Sequence, residues 1–411
     1  MNATVSTPGS TARTVLVSGA GIAGPALAFW LHRRGFTVTV VEQAPALRDG
    51  GSAVDFRGAQ LEVLRRMGIL DEIRARATAM GAEVIVDEQD RPVVELPALL
   101  FSGEVEIERG ELTRILFERT EQDVEYVFGD SITELAEGPD GVRVGFRHGA
   151  PRTFDLVVGA DGMHSVVRDL GWGPEARFRT DSGFYTAGCT VPNLLGLDHE
   201  GRIYNTPGRG VLVMSHRDPA TAGLGLVFHA GELSYDRHDP EAQRRLVTEA
   251  FAGVGWHTPR LLPHLAGATD WYFDSLSQID VPEYSRGRVV LLGDAAWCSG
   301  PGGGGTGLAM IGAYVLAGEL AAHPDHRAAF AAYEKLLRPA AAVSRKQAKG
   351  AGPFLAPVSA KKLKQRNRVY KMLTTRILGA LFARMVSKAA NAVPLPDYPA
   401  PGVRRSPAAV R

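Results

Sequence analysis

Cysteine is nearly absent from this 411-residue chain: there are two, Cys189 and Cys298. They give no disulfide framework and no paired metal spacing, so no metal site is expected. An excess of either charge is also missing. The 46 Lys and Arg against 45 Asp and Glu leave a net charge of +1, so nothing points to nucleic acid. The first residues, MNATVSTPGSTART, have no apolar centre and cannot act as a secretion signal. No apolar run is expected to be long enough to cross a membrane. A reducing, cytoplasmic location is the expectation. What is present is an ordinary globular composition, 45% hydrophobic and 22% charged, with length for two or three domains.

Glycine is plentiful and grouped. The stretch TVLVSGAGIAGPALAFWLHRRGFTVTVVE, from Thr14 to Glu42, places Gly19, Gly21 and Gly24 between a β-branched run and a helical pattern that buries Ala26, Leu27, Trp30 and Leu31. A second strand ends on Glu42. This order suits a dinucleotide. Gly19 permits the tight turn, Gly21 lets the backbone approach a pyrophosphate, and Gly24 lets helix and strand pack closely. The helix N-terminus carries partial positive charge for the phosphates. Glu42, 18 residues beyond Gly24, can accept hydrogen bonds from a ribose 2′-OH, which favours FAD or NAD over NADP.

A second cluster is GDAAWCSGPGGGGTG, residues 293–307, with seven glycines. It lies between a strand-like and a helix-like segment, which is no place for a linker. It contains G-x-G-x-x-G twice, but no strand ending in an acid follows, so it is not read as a second dinucleotide unit. Between the clusters, the chain after Glu42 carries Arg48, a glycine pair and Asp55. A helix is entered at Arg109 and Gly110. A strand at Leu156–Val158 runs into Gly159, Asp161, Gly162, Ser165 and Arg168. A simple nicotinamide fold does not call for these features.

Three ordered motifs, the loop at Gly19–Gly24, Asp161-Gly162 with Ser165 and Arg168, and Gly293-Asp294, make the chain resemble the single-component flavoprotein aromatic hydroxylases over roughly residues 14–340. It is most similar to their tetracycline-inactivating branch. The resemblance implies an α/β fold: a Rossmann-like FAD-binding domain, an inserted antiparallel β-sheet substrate domain and a C-terminal helix. It implies tightly but non-covalently bound FAD, NADPH or NADH as a transient reductant, and hydroxylation of an aromatic or polyketide-like small molecule by molecular oxygen through a flavin C4a-hydroperoxide. A monomer or weak homodimer fits. Arg48 would lie near the nicotinamide. Asp55 and Arg109 would contact FAD, with Asp161 and Gly162 also at the cofactor. Asp294 would meet the ribityl or pyrophosphate region. Pro301, Gly302, Gly303, Gly304 and Gly305 would pass the isoalloxazine. No catalytic base is identifiable. The loop departs from the family at Trp297 to Gly300; Trp297 either shapes the site or packs, and Cys298 is read as a small filler.

A Baeyer–Villiger or epoxidising flavoenzyme, or a FAD-binding protein without turnover, remain alternatives. A halogenase is opposed because Trp30, Trp172, Trp256, Trp271 and Trp297 lack the W-x-W-x-x-P spacing.

The FAD domain is expected at 12–75, 105–175 and 280–345, and the substrate domain at 76–104 and 176–279. Candidate substrate-lining residues are Tyr204, Met214, His216, Phe228 and His229. A basic helical segment covers 346–392, with Leu373, Ile377, Leu381 and Met385 recurring every fourth residue; it either packs across both domains or meets a membrane surface or partner. Residues 1–11 and 393–411 are read as flexible tails.

Overall fold

The computed structural model describes residues 14–47, 52–96, 103–373 and 394–398. Its first strand, Thr14–Ser18, is fully apolar at Val15, Leu16 and Val17 and lies inside a six-stranded sheet. The order is Ser285–Arg286, Val289–Leu291, Leu156–Gly159, Thr14–Ser18, Thr37–Glu42, Glu125–Phe128. All pairings are parallel except the edge strand Ser285–Arg286. Parallel strands need crossovers and burial on both faces, which explains the near-continuous Val and Leu of these segments. The helix Ala23–His32 and the long helix Gly305–Ala322 pack together beside this sheet. The second of these is long and apolar enough to cross a membrane by length and composition, contrary to the expectation from sequence. Here 78% of it is buried inside the protein.

A seven-stranded sheet forms the second layer. Its order is Tyr272–Ser275, Phe184–Pro192, Thr221–His229, Arg209–Ser215, Gly201–Thr206, Glu83–Val86, Pro92–Leu96. A hairpin forms over residues 83–96, turning through Asp87–Arg91 with Asp90 at positive φ. The sheet is not wholly antiparallel: Gly201–Thr206 runs parallel to Glu83–Val86. More than a hundred residues connect those two strands, so no tight turn dictates their direction.

The sheet has two unlike faces, set by the period of two. One face, with Tyr185, Ala187, Cys189, Val211, Val213, Leu224 and Leu226, is sealed by the helix Pro240–Ala250 and its neighbours. The other turns toward the first layer. At one end it is covered by Phe354 and Leu355 and by Tyr370 of the helix Ala360–Leu373. That helix packs on the strands Pro92–Leu96 and Gly201–Thr206. Ile377, Leu381 and Met385 lie outside the described residues, as does Arg48.

Part of the segment read as a tail is docked. Tyr398 fills the notch left by Gly318 on the long helix and its hydroxyl donates to Glu319. The Pro396 carbonyl accepts from the Tyr314 hydroxyl at 2.9 Å.

Candidate active site

The three glycines of the first loop have three different surroundings. Gly19 adopts φ +103°, and a Cβ there would lie 2.6 Å from the Ala160 carbonyl oxygen. A Cβ on Gly24 would collide with the Gly19 carbonyl, so helix and loop touch backbone to backbone. Gly21 has nothing within 4 Å. Its backbone is the one left open to a ligand. Glu42 accepts from the Ala20 N–H at 2.8 Å and the Ala44 N–H at 2.9 Å, which holds the acid beside the loop. A carboxylate has further lone pairs beyond those two bonds.

The Asp161 motif turns inward instead. Its carboxylate accepts from Ser165 Oγ, from Ser18 Oγ at 3.2 Å and from the Val167 N–H at 3.1 Å. Ser165 caps the helix Val166–Trp172 through the Arg168 N–H at 3.0 Å. Asp161 therefore joins this loop to the first strand, while Gly162, at φ +83° with nothing within 4 Å of where a Cβ would be, is the member with open surroundings. Arg168, fully buried, donates to the carbonyls of Met163 at 2.7 Å and Ala295 at 3.2 Å, and so couples the second motif to the third.

The third motif follows the strand Val289–Leu291. Gly293, at φ +66°, is flanked by Ala23 Cβ and Ala309 Cβ, each 3.4 Å from where its own Cβ would be, which draws the motif against the first loop. Asp294 is half-buried. Burial pushes its carboxyl up, while the Arg109 charge and a hydrogen bond with the Cys298 thiol pull it back. The glycines after Pro301 are not all bare for one reason. Gly303 is pressed by Ser299 Oγ at 2.6 Å and the Ser344 carbonyl at 2.8 Å, and Gly307 by the Gln60 side chain. Gly302 and Gly304 have positive φ and open surroundings. The first-turn N–H groups of Gly305–Ala322 have no intrahelical acceptor. Trp297 is fully buried against Tyr284 and Tyr333, so it packs.

Opposite this motif stands the inner face of the second sheet. Tyr272 is about half exposed (51%), yet burial pushes its hydroxyl well up, and the charges it feels are Asp274, Arg109, Cys298 and Asp294. The ring thus projects into a deep cleft between the sheet and the Asp294 loop. Asp274, one strand position away on the same face, accepts from Tyr235 Oη at 3.1 Å and bonds His164 Nε2 at 3.0 Å. His164 Nδ1 lies 2.8 Å from Glu175. Burial alone would lower the His164 pKa, but its bonds to Asp274 and Glu175 prevail and raise it.

Two expected substrate contacts fall on the wrong face. Tyr204 pairs with Val211 and stacks on Trp256; Phe228 pairs with Tyr185 and lies against Phe251. Both belong to the sealed core behind the sheet. Met214 and His216 are on the cleft side, the His216 ring standing over Gly223. His229 is exposed and packs edge-on against Phe184. Asp55 pairs with Arg57 at 2.7 Å in a small ribbon with Val105–Ile107. Tyr272 was missed because nothing in its local pattern distinguishes a cleft tyrosine from a core one.

A family described as FAD binding domain matches residues 12–346. An uncharacterized protein of Mycobacterium tuberculosis is 43% identical over 329 residues, 78% of this chain and 88% of that protein. A flavin-dependent monooxygenase from an unknown prokaryotic organism is 35% identical over 396 residues, 94% of this chain and 99% of that one. The crystal structure of tetracycline destructase Tet(51) superposes with a TM-score of 0.82 at 30% identity, covering 96% of this chain and all of that one. The chain belongs to the FAD-binding family of flavoprotein hydroxylases and is a FAD-dependent monooxygenase of the aromatic-hydroxylase type. The residues present fit that cofactor: an open Gly21, an acid held at the loop, and a half-buried Asp294 whose protein partners are a thiol and a facing arginine.

Proposed function

We propose that this enzyme consumes NADPH or NADH and molecular oxygen to hydroxylate an electron-rich aromatic or polyketide-like small molecule. The observation that carries the reading is the cleft in which Arg109, Asp294, Cys298 and Tyr272 converge from three distant segments. Its likeness to tetracycline destructases and to flavin-dependent monooxygenases supports it.

In this reading Gly19, Gly21 and Gly24 admit the pyrophosphate and the helix behind them supplies N–H groups. Glu42 receives the ribose. Asp294 holds the polyol chain of the cofactor. The first-turn N–H groups of Gly305, Thr306 and Gly307 favour negative charge beside them. The Arg109 charge offsets part of the burial that pushes the Asp294 carboxyl up. Asp161 and Ser165 act on the cofactor only by fixing Gly162, Asp55 contacts FAD, and Arg48 serves the nicotinamide. FAD supplies the electron transfer to oxygen that side chains cannot perform. The chain's own work is to bind, orient and keep the cleft dry.

The test is an absorbance spectrum of the purified protein, then NADH and NADPH oxidation with and without tetracycline and a panel of phenolic polyketides. Bound flavin, oxidation stimulated by one of these compounds, and a product heavier by one oxygen atom are expected. A protein that takes up no FAD would overturn the reading.

A further inference from the structure

The chain is balanced in charge only as a whole. From Lys335 to Pro396, a stretch of 62 residues, there are 14 Lys and Arg and no Asp or Glu. Elsewhere 32 Lys and Arg stand against 45 Asp and Glu, so a segment of charge +14 is set beside a remainder of −13. Charge segregated in this way marks contact with a polyanion or an anionic surface.

The helix Ala360–Leu373 lies inside that acid-free stretch, and its two sides differ. The inner side is anchored. Tyr370 packs on Phe354, and the buried Arg366 donates to the Phe354 carbonyl at 2.6 Å and lies over its ring. On the outer side Lys361, Lys362, Lys364, Arg368 and Lys371 are all exposed. At about 100° per residue they span about half of the helix circumference, and no acid interrupts them. Among the described residues Lys361, Lys362, Lys364 and Arg368 enter no ion pair. Within the same arc Val369 and Met372 are 46% and 54% exposed. Seven large hydrophobic side chains are exposed among the described residues, and four of them, Val343, Val358, Val369 and Met372, belong to the acid-free stretch. A solvated basic face needs none of these. A nucleic acid would engage the cations alone. Apolar side chains set among lysines suit a lipid surface, where the cations meet the headgroups and the apolar groups reach the acyl boundary.

We propose that the outer face of Ala360–Leu373 docks this enzyme reversibly on an anionic lipid surface, with Val369 and Met372 entering between the headgroups. The helix packs on Pro92–Leu96 and Gly201–Thr206, so the lipid lies on the side of the second sheet.

The test sediments the full-length protein with two vesicle preparations, phosphatidylcholine alone and phosphatidylcholine with an equal part of phosphatidylglycerol. Co-sedimentation is expected with the second only, and is expected to fall away at high salt, which screens the cations from the headgroups. The variant Lys361→Gln/Lys362→Gln/Lys364→Gln/Arg368→Gln replaces four exposed residues by one of similar helix propensity. It is expected to keep its thermal midpoint and to bind the anionic vesicles at least about tenfold more weakly. Val369→Ser is expected to weaken binding several-fold at low and intermediate salt alike, which a purely ionic contact would not show. Wild type that stays in solution with the anionic vesicles at low salt overturns the inference, as does a quadruple variant that binds them as tightly as wild type. Wild type that ignores the vesicles but retards a duplex DNA in a gel overturns it too, and assigns the face to nucleic acid.

Discussion

Asp294 shows how one carboxylate is readied for a ligand. Asp161 has three protein donors on its oxygens, whereas Asp294 has a thiol and a facing charge. A hydrogen bond to a charged group contributes about 1.5–3 kcal/mol. Asp294→Ala is therefore expected to weaken FAD binding about 10- to 100-fold, measured as flavin retained after dialysis; undiminished yellow protein would refute the role. The same substitution at Asp161 is expected to lower the melting temperature first, because it releases Ser18, Ser165 and the Val167 N–H together. Both aspartates were legible in the sequence, since each follows a strand and a glycine specifies the turn. Their different tasks were not: which oxygen meets which donor depends on Ser18 and Ser165 arriving from separate segments. Tyr272 was not legible at all, because its importance comes from Arg109, Asp294 and Cys298, which other segments bring to it.

Among the elements, the glycine-rich loop repays comparison position by position. Gly303 is held between Ser299 and the Ser344 carbonyl, and Ser344 Oγ donates back to the Gly303 carbonyl at 2.6 Å. Backbone cannot step aside, so Gly303→Ala is expected to cost on the order of 2 kcal/mol, as overpacking does. Gly307 meets the mobile end of Gln60, whose Oε1 accepts from the Arg57 N–H at 2.9 Å. Losing that bond costs about 1 kcal/mol, and alanine in a helix returns a similar amount. Gly307→Ala is thus expected to melt close to the wild type, and a thermal melt of both variants with FAD checks the contrast. The sequence placed these glycines correctly between strand and helix but could not apportion them between cofactor and protein. The second sheet tells a similar story. The alternation of Val211, Val213, Leu224 and Leu226 identifies two faces, yet not which one is sealed by Pro240–Ala250. Tyr204 and Phe228 were assigned to the cleft for that reason.

At the scale of the whole molecule, His164 ties the two layers together by bridging Glu175 and Asp274. Its folded pKa is raised, so its contribution to stability is complete below the ordinary histidine value near 6.5 and is lost as pH rises through the folded value. Glu175 is the opposite case: burial raises its pKa, but the bonds and charges from His164 and Arg168 prevail and lower it. Its share is present above the ordinary glutamate value and is lost as pH falls through the lowered one. The tie is strongest between those limits. Melting temperature followed from mildly acidic to alkaline pH is expected to fall on the alkaline side, and His164→Gln is expected to flatten that limb. An unchanged slope in the variant would remove His164 from the account.

The two sheets are also threaded through one another. The parallel sheet needs Val289–Leu291 from late in the chain, and the second sheet needs Glu83–Leu96 from early in it. No single cut in the gene releases either sheet whole, so recombination cannot exchange one substrate face for another as a cassette. A new specificity has to be reached by substitutions made in place.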